Sequence, residues 1–138
     1  MMHRGAAGAT SQFDIRVGGQ RLEAARWAGR TPHAPTILLL HEGLGCVALW
    51  RDFPARLAAA TGLSVVAYSR AGYGASDPCP LPRPLDYMEQ EARRLTEILN
   101  ALGLDHHVLV GHSDGASIAA LAAADSPPGL LGLALMAP

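Results

Sequence analysis

The stretch Val108-Leu109-Val110-Gly111-His112-Ser113-Asp114-Gly115-Ala116-Ser117 decides how the rest of the chain is read. A short run of β-formers enters Gly-x-Ser-x-Gly and an Ala-rich segment follows, which predicts strand, sharp turn, then helix. A serine hydroxyl at its ordinary pKa is a poor nucleophile, so a reactive Ser113 has to stand at the tip of such a turn where a base can reach it. Gly111 and Gly115 are expected to let strand and helix approach closely, since a Cβ at either place would clash. The helix beginning near Asp114 then turns its unpaired N–H groups, and the positive end of its dipole, toward the place where an oxyanion would form. In a chain with 15 glycines the pattern also arises by chance as a structural Gly-Ser turn. The flanking strand and helix are what favour the chemical reading.

Outward from that corner the chain alternates apolar runs with helical patterns. Phe13, Ile15 and Val17 alternate with polar residues, Gly18-Gly19 supplies a two-residue turn, and Arg21 to Trp27 returns, which predicts a hairpin. Thr36 to Leu40, Ser64 to Ser69 and Leu130 to Met136 are continuous apolar runs, the pattern of strands buried on both faces in a parallel sheet. Phe53 to Ala60 reads as a helix with Pro54 in its first turn and Gly62 as its stop. Asp86-x-x-Glu89 reads as a helix start, and Met88, Ala92, Leu95, Leu99 and Leu102 form one apolar face of a helix from Asp86 to Leu102, closed by Gly103. Its other face carries Glu89, Arg93 and Glu97, read as solvated. Residues 1–11, rich in Gly, Ala and Ser, read as a loose lead-in, and 12–138 as one domain or part of one.

Composition narrows the classes of function. Lys+Arg number 11 against 12 Asp+Glu, a net charge of -1, and the basic residues are scattered, so no nucleic-acid partner is indicated. No apolar run approaches the ~20 residues of a membrane span, and Met1 to Phe13 lacks the apolar core of a signal peptide, so a cytoplasmic protein without membrane association is expected. Cys46 and Cys79 have neither the spacing of a zinc site nor that of a disulfide framework and read as reduced thiols in loops. Gly72-x-Gly74 suggests a dinucleotide fingerprint, but Asp77 occupies the third glycine's place and a loop with Pro78, Pro80, Pro82 and Pro84 follows in place of a helix. The nucleotide reading is rejected on both counts.

Three pieces in order, His41-Glu42-Gly43-Leu44-Gly45, Ser69-Arg70-Ala71-Gly72-Tyr73-Gly74-Ala75-Ser76 and Gly111-His112-Ser113-Asp114-Gly115, together resemble the α/β-hydrolase fold superfamily, over its amino-terminal half. The resemblance implies an α/β fold, a mostly parallel sheet with helices on both faces, ending after the strand that follows the Ser113 helix. It implies a serine-nucleophile hydrolase acting on an ester, thioester, amide or activated C–C bond of a small-molecule substrate through an acyl-enzyme. Ser113 would be the nucleophile, the backbone N–H of Asp114 one oxyanion-hole donor, and Gly43 or Leu44 the other, the register being open because Glu42 follows His41 where the family has His-Gly. No metal and no organic cofactor is implied. Ser rather than Asp at 113 argues against haloalkane or epoxide chemistry by an alkyl-ester route.

The family's acid and His follow the nucleophile in sequence, and neither is found here. His106 and His107 lie at the start of the elbow strand, roughly 15 Å from the serine at ~3.3 Å per residue, and read as solvent-facing strand ends. His112 neighbours Ser113, but adjacent side chains diverge, so it reads as packed or bonded to a loop. His41 is at the right edge, where a scaffold role is favoured over that of a base; His3 and His33 are remote. Asp77 is expected to bond within its own turn. The Asp114 side chain most simply completes the first turn of its helix; the bolder reading is that its charge repels anionic substrates. The alternative to an enzyme is a non-catalytic module binding a small ligand, or an inactive relic of the fold. An exposed edge on Leu130 to Met136 would allow self-association through that strand.

Overall fold

The computed structural model describes residues 6–138, which form a six-stranded sheet with helices on both faces. In chain order the elements are β1 (Ser11–Val17), β2 (Gln20–Trp27), β3 (Thr36–Leu40), a single 3-10 turn (Ala48–Trp50), α1 (Phe53–Thr61), β4 (Val65–Tyr68), α2 (Tyr87–Leu102), β5 (His107–His112), α3 (Asp114–Ala124) and β6 (Leu130–Met136). The strand order is β1-β2-β4-β3-β5-β6. β3, β4, β5 and β6 are parallel, and the hairpin β1–β2 adds antiparallel to β4.

The continuous apolar strands follow from this layering. Alternate residues of a strand point to opposite faces, so Leu38 and Leu40 of β3 join Leu109 under α2 and α3, while Ile37 and Leu39 join Val110 under α1. Each fully buried Leu contributes roughly 1.5–3 kcal/mol, and a polar residue at any of these positions would face an apolar layer. The α2 stripe expected from periodicity faces the first of these cores: Leu95 and Leu99 are buried with Ile98, and Met88, Ala92 and Leu102 pack at its margin.

Several local expectations are corrected. Asp86 does not cap α2 through its side chain; it accepts from Gln90 Nε2 at 3.0 Å and pairs with Arg93 at 3.7 Å, because its backbone is not in the extended conformation a capping carboxylate needs. Glu91 is buried on the apolar side of α2 against Arg94. His107 is not solvent-facing: β6 pairs alongside it through Leu130, and only 1% of it is exposed. Burial holds its pKa below the ordinary histidine value. Asp77 bonds within its own turn through its backbone, the carbonyl accepting the Gly72 N–H at 2.8 Å, while its carboxylate accepts the Arg21 N–H at 2.8 Å and so ties the loop after β4 to the hairpin.

β6 departs furthest from its pattern. It reads as a strand covered on both faces, yet Leu131 is 60% exposed and Leu133, Leu135 and Met136 are also exposed. The reason is position: β6 lies at the sheet edge, bonded to β5 alone, and α3 is the main helix packed on it, so much of its side-chain surface is uncovered. Of the expected lead-in over residues 1–11, residues 1–5 lie outside the described residues. From Ala6 on the chain is tied down, with Ala7 O accepting the Trp27 indole N–H at 2.9 Å and Thr10 N–H donating to Arg26 O at 2.7 Å. Cys46 and Cys79 are free thiols.

Candidate active site

β3 and β5 are neighbours in the sheet, but the connection leaving β3 runs outward to β4 and the one entering β5 crosses back over β3. Their carboxyl ends therefore open onto the crevice where parallel sheets bind ligands. The register pairs Leu40 with Gly111, which sets the His41–Gly45 loop beside Ser113.

Ser113 sits at the corner between β5 and α3 with φ 54 and ψ -116, a backbone region that non-glycine residues rarely occupy and that costs on the order of 1–3 kcal/mol. The flanking glycines show why the corner is so tight. A Cβ on Gly111 would stand 2.6 Å from Ala116 Cα, and one on Gly115 would collide with the carbonyl oxygen of Leu40 and stand 2.6 Å from that of His41. The helix thus packs directly on both strands. Ser113 N–H donates to Met136 O at 2.8 Å, locking the corner to the end of β6, and Ser113 O accepts from Ala116 and Ser117. Among the described residues, the backbone N–H groups of Asp114, Gly43 and Leu44 meet no acceptor, whereas Gly45 N–H is used by Glu42 O at 3.1 Å.

The loop bearing Gly43 and Leu44 is held from behind by a buried cation. Arg70, 1% exposed, donates Nη1–H to His41 O at 2.6 Å, Nη2–H to Glu42 O at 3.2 Å, and its backbone N–H to His41 Nε2 at 3.0 Å. His41 donates its Nδ1–H to Glu42 O at 2.7 Å, so both ring nitrogens are engaged in the neutral form. Burial, then the Arg70 charge, lowers its pKa to about 3. The ring is a scaffold. Glu23 and Ser69 brace the same region: Ser69 Oγ donates to Glu23 Oε1 at 2.7 Å and accepts the Val47 N–H at 2.9 Å.

His112 Nδ1 lies 3.7 Å from the Glu42 carboxylate, beyond hydrogen-bond distance. The two border a cleft of about 120 Å³ floored by Leu49 and Trp50, on the α1 side of the sheet. Asp114 does more than occupy the first turn of α3: its Oδ2 accepts the Tyr87 hydroxyl, a partner 27 residues away. Nothing in the local pattern around Tyr87 announces that bond. Arg70 was equally silent in the sequence, where only its place between an apolar strand and a glycine turn hinted at burial. Among the described residues no group of three His, Cys, Asp or Glu side chains could hold a metal ion, and no helix is long and apolar enough to cross a membrane.

A family model described as the alpha/beta hydrolase fold matches residues 35–138. The chain belongs to the α/β-hydrolase fold family. Within that family it is 33% identical over 121 residues to the serine hydrolase BPHL of Mus musculus, covering 86% of this chain and 40% of that protein. The crystal structure of a membrane phospholipase A superposes with a TM-score of 0.79 at 32% identity, covering 96% of this chain and 40% of that one. The proline iminopeptidase of Mycobacterium smegmatis superposes with a TM-score of 0.77 at 27% identity, covering 89% and 42%. The chain thus spans about two-fifths of the length of these α/β-hydrolase relatives.

Proposed function

We propose that Ser113 is the nucleophile of a serine hydrolase that cleaves an ester, thioester, amide or activated C–C bond in a small-molecule substrate through an acyl-enzyme. The observation that carries this is the Ser113 corner: a serine at φ 54 between a strand and an 11-residue helix, both of its neighbouring glycines without room for a Cβ. Such strain persists only where the surroundings impose it, and it clusters at functional positions.

In the proposed reaction Ser113 Oγ attacks the substrate's electrophilic carbon as a base takes its proton. The oxyanion that forms is received by the N–H of Asp114 and by that of Gly43 or Leu44, which are among the backbone donors at this edge without an acceptor among the described residues. Collapse expels the leaving group with a proton returned by the base, and water then hydrolyses the acyl-enzyme by the same steps reversed. The base is not His41, whose two nitrogens are engaged, nor His107, buried at the far end of β5. His112 is turned to the α1-side cleft with Glu42. The base and its acid are therefore assigned to sequence outside these 138 residues, in keeping with the fraction of the relatives that the chain spans. That BPHL is a serine hydrolase supports the reading.

The test is covalent labelling of the full gene product with a fluorophosphonate. Modification of Ser113, absent in Ser113→Ala, is expected; a product that binds ligands yet never reacts there would make the protein a binding module instead.

A further inference from the structure

Asp114 Oδ2 stands between two groups. It accepts the hydroxyl of Tyr87, the first residue of α2, and it lies so near Gly43 that a Cβ there would stand 2.6 Å away. From Tyr87 a chain of stacked groups leads back to the loop. The Arg83 guanidinium lies over the Tyr87 ring at 5.5 Å and over the Tyr73 ring at 4.7 Å, and Tyr73 meets His41 edge-on at 4.8 Å. His41 opens the loop that holds Gly43 and Leu44. Asp114, Tyr87, Arg83, Tyr73, His41 and Gly43 thus form a ring of neighbours that includes two of the residues whose N–H groups lack an acceptor among the described residues, Asp114 and Gly43.

We infer that Tyr87 is a positioning residue: through its hydroxyl on Asp114 it fixes the spacing between the Asp114 N–H and the N–H donors of Gly43 and Leu44. The inference rests on the nucleophile reading of Ser113. Preorganised donors act only within a few tenths of an ångström of the forming oxyanion, and a displacement near 1 Å costs on the order of a hundredfold in rate. The carboxylate is the spacer in this arrangement. With the Tyr87 hydroxyl in place it fills the space beside Gly43 that a side chain there would need; without it the carboxylate is free to rotate, and the loop loses its stop. Tyr87 is well suited to be a fixed donor, because burial first and the Asp114 acceptor second push its pKa up to about 12.

The experiment is fluorophosphonate inactivation of the full gene product, resolved into the maximal rate constant kinact and the half-saturating concentration KI, with the labelled fraction counted at the end point. Tyr87→Phe keeps the ring against Arg83 and removes only the hydroxyl; kinact is expected to fall about tenfold, with KI within twofold and complete labelling. Arg83→Met, one link further round the ring, is expected to lower kinact two- to fivefold. A merely structural role predicts fewer reactive molecules and an unchanged kinact in those that remain, and that result, or an unchanged kinact in both variants, overturns the inference while leaving the Ser113 reading intact. Failure of the parent protein to label at Ser113 overturns both.

Discussion

Gly115 packs so closely under Leu40 that a Cβ on it would overlap the Leu40 carbonyl oxygen and stand 2.5 Å from the carbonyl carbon. The obstacle is backbone inside a parallel sheet, which has no flexible end to move aside. Gly115→Ala is therefore expected to destabilise the fold by about 3 kcal/mol, the upper range for overpacking, as read from the urea midpoint at constant m. Gly132, where the same Cβ would meet only the Val108 methyls at 3.5 Å, is the control: Gly132→Ala is expected to change stability by less than about 1 kcal/mol.

Arg70 should matter out of proportion to its visibility. Its guanidinium ties the loop after β3 to the loop after β4 through the carbonyls of His41 and Glu42, while its backbone N–H holds the His41 ring. Arg70→Met would leave the His41 carbonyl without its guanidinium donor, at roughly 1–3 kcal/mol, and would also remove the longer bond to the Glu42 carbonyl, which keeps His41 Nδ1–H and Gly45 N–H. A fall of about 3 kcal/mol in unfolding free energy is expected, and a variant as stable as the parent would show the ties to be idle.

The neutral His41 makes acid stability predictable in sign. Its pKa in the folded state is about 3 against 6.5 in the unfolded chain, so below 6.5 the unfolded state takes up a proton that the folded state refuses. Stability is complete above about pH 6.5 and declines as the pH falls toward 3, by about 1.4 kcal/mol per pH unit once the unfolded histidine is protonated. His107, whose pKa burial also lowers, adds in the same direction. Urea melts at pH 7.5, 6, 5 and 4 should show the decline, and His41→Asn should flatten it by about one proton's worth. An identical slope in that variant would mean that His41 is protonated in the fold.

The edge strand carries a prediction about association. β6 has one bonded neighbour, and the face bearing Leu131, Leu133 and Leu135 is open, so the 138 residues expressed alone are expected to pair or aggregate through it. Leu133→Lys should raise the concentration at which sedimentation velocity detects association by at least about tenfold. A monodisperse monomer of the unaltered 138-residue chain would contradict this.

What could be read from the residues alone was whatever repeats locally. The runs 36–40 and 65–68 announced strands because both faces of each are buried, and Gly-x-Ser-x-Gly announced its corner because sterics leave so few alternatives. Contacts between distant segments were invisible for the opposite reason. Tyr87 reaches Asp114 across 27 residues and Arg70 reaches His41 across 29, and no period in either segment encodes the other. The burial of His107 depends on Leu130, a strand away, and its own neighbours in sequence do not show it. β6 was misjudged because an apolar run states what a strand could be covered by, not what covers it.

The central claim concerns one hydroxyl, and intact-mass and peptide-mapping mass spectrometry after fluorophosphonate treatment of the full gene product address it most directly. The account predicts a single phosphonyl adduct on Ser113, lost in Ser113→Ala and blocked by prior denaturation. An adduct on another residue, or none on a folded protein, would contradict it.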